Sequence, residues 1–344
     1  MKLAVGFITY NEATAKYLDD FLPSLEAALS FLKSEDYRVY VFDNSDKDNL
    51  LNNRILFQHQ RIEYFCLGHN LGFAYAYNVL IKEAIKDGAD YFLVINPDTI
   101  MEPEAIKNLI AALDNDGSLG SVAPKILRWD FAEKKKTKTI DSLGLVLKPG
   151  LKFSDLGQGI EDREKLEDEE KNKAFKILGP SGAAGLFRLS ALEKVAATRP
   201  ENREIRPENR ESLPESRPVQ YFDERFFMYK EDCDLAYRLF LAGFGSRLVP
   251  DAIIYHDRTA AVSKGGIKNF WRGRQAKSKK IRAWSFRNQH FIFLKHWKKQ
   301  NFVNKIIVIL RVLFLFIFSL ILEQFLLKEY FFVFRQARGL TNIK

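Results

Sequence analysis

The chain has 344 residues, of which 47% are hydrophobic and 28% are charged, and its formal net charge is +9. This composition is ordinary for a globular protein with a buried core, and it excludes an intrinsically disordered or collagen-like chain. The length allows about two domains. The two cysteines, Cys66 and Cys233, are too few for a disulfide framework and predict reduced thiols in a cytosolic compartment.

The first 113 residues alternate short apolar runs, typical of strands, with segments of helical periodicity. The predicted strands are residues 3–9, 38–42, 62–66 and 91–95, and the predicted helices are residues 18–33, 73–86 and 103–113. This alternation indicates an α/β fold with a mostly parallel central sheet and helices on both faces. The first apolar run is too short for a signal peptide, so we expect the protein body to remain in the cytoplasm.

Polar residues follow three of the predicted strands directly. Ligands of open α/β sheets bind at the carboxyl ends of the strands, so three polar clusters at that edge predict a binding site there. Taken alone, the Asp43 cluster could be a plain turn, and Asp98 could belong to a turn or cap the helix that follows, because aspartate and asparagine favour such positions. The three clusters are Tyr10-Asn11-Glu12, Asp43-Asn44 and Asn96-Pro97-Asp98.

A second candidate site lies between residues 221 and 256. Glu231, Asp232 and Asp234 stand there at the start of a segment with helical apolar spacing. A helix start stabilises ionised carboxylates, and a free aspartate has a pKa of about 3.9, so we expect Asp232 to be ionised at neutral pH. An ionised carboxylate in a cleft can act as a general base. The alternative is that these acids only cap the helix.

Residues 199–218 repeat a seven-residue unit that begins Arg-Pro-Glu-Asn-Arg-Glu, followed by a decayed third copy. A proline in every copy is incompatible with a continuous helix, and the unit has no paired apolar positions for a coiled coil. The segment therefore predicts a disordered surface insertion without chemistry.

The basic residues are concentrated near the C-terminus. Residues 258–322 contain fifteen lysines and arginines and no aspartate or glutamate. A basic stretch with aromatic residues can bind nucleic acid, but here residues 306–322 are apolar apart from Arg311 and Ser319, which nucleic acid does not require. We therefore expect helices that associate with an anionic membrane surface, and no nucleic acid.

The length of the apolar stretch does not decide how such helices would meet the membrane. Seventeen residues with one arginine are marginal for a bilayer span, which needs about 20. A single span, a monotopic hairpin, and a helical cap that packs on the body or forms a dimer all remain open.

The motifs of the first 260 residues resemble, in order, those of inverting GT-A glycosyltransferases of family two, specifically the bacterial rhamnosyltransferase-like branch. The resemblance implies a Rossmann-like GT-A domain over residues 1–260, with the insertion at 199–218, and a membrane-associating helical region over residues 261–344. The segments that carry it are residues 9–12, 43–45, 70–78, 96–98 and 222–235, followed by His256.

The resemblance also implies roles for single residues. Asp232 would be the base that deprotonates an acceptor hydroxyl, and Glu231 would position the acceptor. Asp98 and His256 would hold a divalent cation, Mg²⁺ or Mn²⁺, at the donor diphosphate. Because Asn96 stands where the family often has a carboxylate, we expect a weak metal site. The residues implied to bind the donor are Tyr10, Glu12, Asp43, Asn70, Asn78, Asn96 and Asp98.

The activity that the resemblance implies is inverting transfer of one sugar, rhamnose or another deoxyhexose or hexose. The donor would be a nucleotide sugar and the acceptor a hydroxyl of a glycan or polyprenyl-linked glycan, in cell-surface polysaccharide synthesis at the cytoplasmic face of the membrane. A Gln-x-x-Arg-Trp motif, typical of processive synthases, is absent from the sequence. The alternative is a degenerate GT-A module that binds sugar nucleotide or glycan without catalysis. A nucleotidyltransferase would need a glycine-rich basic loop after the first strand, which residues 9–15 lack.

Overall fold

The computed structural model describes residues 2–47, 62–162, 176–198, 219–258 and 267–340, without the side chains of residues 267–270 and 338–340. The predicted insertion at residues 199–218 lies outside the described residues. The strands are β1 (Leu3–Thr9), β2 (Tyr37–Asp43), β3 (Ile62–Cys66), β4 (Tyr91–Ile95), β5 (Thr99–Met101), β6 (Leu119–Asp130), β7 (Lys135–Ser142), β8 (Leu145–Lys148), β9 (Lys152–Asp155), β10 (Ala184–Arg188), β11 (Ala197–Thr198), β12 (Val219–Gln220) and β13 (Gly245–His256). The helices are α1 (Asn11–Ala15), α2 (Leu18–Leu29), α3 (Gly72–Lys86), α4 (Ala105–Asp114), α5 (Leu189–Lys194), α6 (Glu231–Leu241), α7 (Ile267–Gln275), α8 (Lys279–His296), α9 (Phe302–Ile321) and α10 (Leu327–Leu340).

A nine-stranded sheet forms the centre of the described part of the chain. Its strands neighbour one another in the order β3-β2-β1-β4-β10-β6-β13-β5, and β7 pairs with β6. β3, β2, β1 and β4 run parallel, whereas β10 is antiparallel to both of its neighbours and β5 is antiparallel to β13. The predicted α/β architecture is confirmed, with a parallel first half and a mixed second half.

Helices cover both faces of the parallel half. α2 and α4 pack on one face, where Phe21 and Ile106 join Leu93 in a buried cluster. α3 packs on the other face, where Tyr77 joins Phe92. β4 is buried at every residue, which explains its uninterrupted apolar sequence. Each large side chain buried in this way contributes about 1.5–3 kcal/mol to stability.

The order of the strands places a crevice beside β1. The chain passes from β1 to β2 and β3 on one side and then returns to β4 on the other side of β1. Loops that leave the carboxyl ends of β1 and β4 therefore diverge, and a ligand can enter between them.

The C-terminal helices pack on the sheet domain. Phe226 and Tyr237 from the sheet domain share a buried cluster with Phe291 of α8, Val308 of α9 and Val333 of α10. The division into residues 1–260 and 261–344 stays a prediction, and the two segments share a core.

Candidate functional site

A cavity of about 660 Å³ opens at the carboxyl ends of β1 and β4. The loops after these strands form one side, the start of α6 forms another, and α8 contributes three further lining residues. Most of the residues singled out in the sequence meet in this cavity. Those that line it are Tyr10, Asn70, Asn96, Asp98, Glu231, Asp232 and His256.

Asp98 and His256 face each other across a short gap because of the register of β13. His256 pairs with Thr99 of β5, next to Asp98, and the backbone N–H of Asp257 donates to the Asp98 carbonyl at 2.9 Å. Nε2 of His256 lies 3.3 Å from Oδ2 of Asp98. Two residues that are 158 positions apart in the sequence are thus held at one point of the cavity.

A second acid, Asp141 near the end of β7, contacts the other nitrogen of the histidine ring. Its Oδ2 lies 2.8 Å from Nδ1 of His256, and its Oδ1 accepts a hydrogen bond from Arg258 at 3.1 Å. Burial alone lowers the pKa of His256, but the charges of Asp98 and Asp141 and the hydrogen bonds to them outweigh burial and raise that pKa to about 10. In this arrangement the ring is an imidazolium at neutral pH.

The pair of Asp98 and His256 fits a divalent cation that also binds diphosphate. Oδ1 of Asp98 is buried and has no hydrogen-bond partner among the described residues. Within those residues no group of three or more histidine, cysteine or acidic side chains surrounds one metal position. Mg²⁺ at phosphate-transfer sites is usually held by one or two carboxylates together with substrate phosphates. A cation would replace the proton on His256, because a ligating imidazole is neutral.

Asp232 lies in the first turn of α6, and each of its carboxylate oxygens accepts a hydrogen bond from a backbone N–H. Oδ1 accepts from the backbone N–H of Cys233 at 2.7 Å, and Oδ2 accepts from the N–H of Gly182 at 2.9 Å. Burial and the charge of Asp155 raise the pKa of Asp232, against these two N–H bonds, which lower it. The pKa of Asp232 is therefore raised, whereas a helix start would be expected to lower it. A raised pKa makes the carboxylate a better proton acceptor.

Glu231, the residue before Asp232, also lines the cavity. Only 4% of its surface is exposed, and Oε2 is buried without a hydrogen-bond partner among the described residues. Burial and the charge of Asp232 raise the pKa of Glu231 well above its ordinary value. A buried carboxyl without a partner is costly, and a hydroxyl entering the cavity would satisfy it.

The third acid of this motif, Asp234, turns away from the cavity and joins α6 to α8. It is fully buried and pairs with Arg238 at 2.9 Å, with Lys295 at 2.8 Å and with His296 at 2.9 Å. Burial alone raises the pKa of Asp234, but the charges of Lys295 and Arg238 hold it well below its usual range. Asp234 therefore stabilises the packing of α8, which lines the cavity, against α6.

The loop before α6 is strained, and α8 holds it in place. Phe227, Tyr229 and Lys230 have φ angles of 57°, 73° and 70°, in the left-handed region that non-glycine residues rarely adopt. Such residues cost about 1–3 kcal/mol each and persist only where their surroundings impose them. Nδ2 of Asn288, a fully buried residue of α8, contacts three carbonyl oxygens of this loop. They belong to Phe226, Met228 and Tyr229, at 2.7, 2.8 and 2.7 Å.

Three of the residues implied to bind the donor do not line the cavity. Glu12 is exposed on α1. Asp43 is fully buried and accepts hydrogen bonds from the hydroxyl of Tyr64 and the N–H of Ser45. The amide of Asn78 is also buried, and it bonds to the backbone N–H groups of Tyr221 and Phe222, at 2.9 and 2.8 Å, and to the carbonyl of Phe222. The structure thus places Asn78 where it braces the chain that leads to α6.

Several residues that line the cavity were not predicted from the sequence. Asp141 and Asp155 come from β7 and β9, and no local motif surrounds either of them. Lys280 and Trp284 of α8 also line the cavity. Both belong to the basic, aromatic stretch, for which the sequence predicted only a membrane contact. The aromatic residues of this stretch come before the apolar run at residues 306–322, and this separation is a signal that could have suggested a role in the cavity.

Comparison with known proteins identifies the family of the chain. The family model of glycosyl transferase family 2 matches residues 4–196. The N-acetylglucosaminyl-diphospho-decaprenol L-rhamnosyltransferase of Mycobacterium tuberculosis is 26% identical over 275 residues, which cover 76% of this chain and 78% of that protein. Rhamnosyltransferase WbbL of Escherichia coli (strain K12) is 26% identical over 270 residues, covering 76% of this chain and 87% of WbbL.

Among solved structures, mannosyltransferase PcManGT from Pyrobaculum calidifontis, in complex with GDP-Man and Mn²⁺, aligns with a TM-score of 0.49 at 13% identity. The alignment covers 98% of this chain and 75% of that chain. The family model spans more than half of the 344 residues, and the two curated relatives are rhamnosyltransferases. The resemblance drawn from the motifs is thus confirmed: this rhamnosyltransferase-like chain with a GT-A fold belongs to glycosyl transferase family 2.

Proposed function

We propose that this protein is an inverting glycosyltransferase that adds one sugar, rhamnose or another deoxyhexose or hexose, to a glycan or polyprenyl-linked acceptor. The donor is a nucleotide sugar, and the product belongs to cell-surface polysaccharide synthesis. The observation that carries the proposal is one cavity in which Asp232, held by two N–H groups, shares the space with Asp98 and His256. The names of the relatives, which include a diphospho-decaprenol acceptor and rhamnosyl transfer, support the same class of reaction.

The donor side of the cavity is formed by Tyr10, Asn70, Asn96 and Asp98. We assign the nucleotide diphosphate to this side, where Asp98 and His256 would hold the Mg²⁺ or Mn²⁺ ion. Such an ion neutralises the charge that develops on a leaving diphosphate. Asp43 supports the site indirectly, because it orders Ser45, whose hydroxyl accepts from the N–H of Asn11 at 2.6 Å.

The acceptor side is formed by the start of α6. An acceptor hydroxyl oxygen attacks the anomeric carbon, the bond from that carbon to the diphosphate oxygen breaks, and the hydroxyl proton passes to Asp232. One displacement of this kind inverts the anomeric configuration. A positioned base contributes about 10²–10⁴-fold to the rate. Glu231, with its unpartnered oxygen, orients the acceptor through a hydrogen bond.

We further propose that the enzyme works at the cytoplasmic face of the membrane with α9 lying in the plane of the membrane surface. α9 is long and apolar enough for a span by composition, but one of its faces packs on the sheet domain. Asn304 accepts from the N–H of Gly150 at 3.1 Å, Arg311 donates to the Gly150 carbonyl, and Val308 is buried in the cluster that α9 shares with the sheet domain. A helix held against the protein body over these turns favours in-plane insertion of its free face.

The proposal is tested with the full-length protein, a panel of nucleotide sugars and a synthetic polyprenyl-diphosphate-linked N-acetylglucosamine. Mass spectrometry counts the added sugars, and NMR of the product gives the anomeric configuration. We expect one added sugar with inverted configuration from one donor, and loss of product in EDTA. Donor binding without transfer from any nucleotide sugar would favour the non-catalytic module, and retained configuration would contradict the assigned mechanism.

A further inference from the structure

A second pocket, of about 370 Å³, lies between α8 and α10. We call it the cationic pocket. Lys279, Lys280 and Arg287 line it from α8, and Lys328 and Glu329 line it from α10. The four cations outnumber the single carboxylate, so the pocket favours an anion.

Most of the positive charge in the cationic pocket is not neutralised by the protein. Glu329, only 4% exposed, lies 3.6 Å from Arg287. Lys279, Lys280 and Lys328 form no ion pair with a carboxylate among the described residues, and Nε of Arg287 is buried without a hydrogen-bond partner there. Lys279, Lys280 and Lys328 are exposed, and the Arg287 side chain is 17% exposed. A multivalent anion between these cations would be attracted by all of them.

The cationic pocket adjoins the catalytic cavity on one side. Lys280 and Trp284 line both of them. The donor residues come from the loops after β1 and β4, whereas the cationic pocket is built from the C-terminal helices alone. An anion bound there therefore reaches the cavity from the acceptor side.

Aromatic residues continue the cationic pocket toward solvent on the other side. Phe325 and Phe332 line it, and Phe332 is 44% exposed. Phe331 and Phe334, the neighbouring residues of α10, are more exposed still. An exposed apolar surface that begins at a cationic pocket suits a ligand with a phosphate group and a long hydrocarbon chain.

We propose that the cationic pocket binds the diphosphate of a polyprenyl-diphosphate-linked acceptor, with the hydrocarbon chain leaving over the exposed aromatic residues of α10. This inference rests on the proposed function. It assigns the acceptor sugar to the catalytic cavity, past Lys280 and Trp284, so that its hydroxyl reaches Asp232. In this arrangement α8 and α10 bind the diphosphate, while the hydrocarbon chain leaves over α10 toward the membrane.

The test measures binding of farnesyl diphosphate to full-length protein in detergent with EDTA, by isothermal titration calorimetry. The pocket variant is Lys279→Glu/Lys328→Glu. The control variant is Lys298→Glu/Lys299→Glu, two exposed lysines after α8 that do not line the cationic pocket. Both variants change the net charge equally. A lysine beside a phosphate contributes roughly fivefold in affinity, so we expect the Kd to rise at least tenfold in the pocket variant and less than twofold in the control.

Two further ligands separate the possible sources of the phosphate. Farnesol lacks the diphosphate and should bind the wild-type protein at least tenfold more weakly than farnesyl diphosphate. Phosphatidylglycerol vesicles present only lipid headgroups, and both variants should lose vesicle binding by the same factor. Equal affinity for farnesol, or an equal loss of farnesyl diphosphate binding in both variants, would overturn the proposal.

A thermal shift with the nucleotide-sugar panel runs in parallel on the same proteins. If a donor stabilises all of them and the pocket variant still binds farnesyl diphosphate like the wild type, only the cationic pocket is wrong. If no donor binds, the proposed function fails, whatever the calorimetry gives.

Discussion

Glu231, Asp232 and Asp234 occupy one turn of α6 but have three different surroundings. Asp232 is bound by two N–H groups at the cavity, Glu231 is buried beside it with an unpartnered oxygen, and Asp234 is enclosed by cations of α6 and α8. The spacing of the acids predicts a helix start and a base. It does not predict which acid faces which neighbour, because Lys295 lies 61 residues farther along the chain.

At the residue scale, Asp141 orients the proposed metal ligand His256. Replacing Asp141 with asparagine removes the carboxylate that holds Nδ1 of the ring. Loss of such a supporting partner typically weakens metal binding about 10–100-fold, so we expect half-saturation of transfer to need that much more Mn²⁺. Asp155→Asn is the matched control, because Asp155 shares Arg258 with Asp141 but is not bonded to His256. Equal Mn²⁺ requirements in both variants would argue against this role of Asp141.

At the element scale, the packing of α8 on α6 depends on buried charges. Asp234→Asn removes the carboxylate that pairs with Arg238 and one of the two that pair with Lys295, which keeps Asp223 at 2.8 Å. Removing one partner of a buried pair costs about 3–5 kcal/mol. The folded-state pKa of Asp234 is depressed, so its contribution to stability is present above the unfolded pKa of about 3.9 and is lost as the pH falls below it. We therefore expect the variant to unfold at a clearly lower temperature than the wild type at pH 7.

At acid pH the unfolding temperatures of the variant and the wild type should become similar. Glu104→Gln serves as the control, since Glu104 and Lys107 form an exposed pair on α4 that is worth at most about 1 kcal/mol. A difference between Asp234→Asn and wild type that does not depend on pH would contradict the buried-charge account.

The elements themselves were largely predictable, whereas their long-range contacts were not. Strand β4 follows from an unbroken apolar run, and the polar clusters after β1 and β4 follow from where those strands end. Asn78 is an example of a contact that the sequence pattern does not predict. It lies in a segment whose pattern resembles a donor-binding motif, yet its amide bonds to backbone groups about 144 residues away. The strained loop before α6 was also not predictable, because Asn288 of α8 imposes it from outside.

For the whole molecule, the membrane hypothesis predicts that the exposed face of α9 contacts the lipid. Leu310 and Ile317 are 59% and 53% exposed on the free face of α9. Replacing both with glutamate removes about 1.5–3 kcal/mol of burial per side chain. We therefore expect flotation with anionic vesicles to fall by roughly 100-fold or more, since each 1.4 kcal/mol is tenfold.

The control for this experiment is Leu67→Glu/Ile160→Glu, which changes two exposed apolar residues of the sheet domain. Equal loss in both variants would contradict the assignment of α9 to the membrane. Point substitutions are preferable to deletion of residues 301–344, because that deletion also removes Val308 and Val333 from the shared core.

The role proposed for Asp232 as the base for sugar transfer can be tested by comparing donor binding and transfer in Asp232→Asn. This isosteric change keeps an oxygen for at least one of the two N–H bonds. We predict an unchanged donor Kd and a fall in transfer rate of about 10²–10⁴-fold. Transfer at the wild-type rate, with the donor still bound, would contradict the claim.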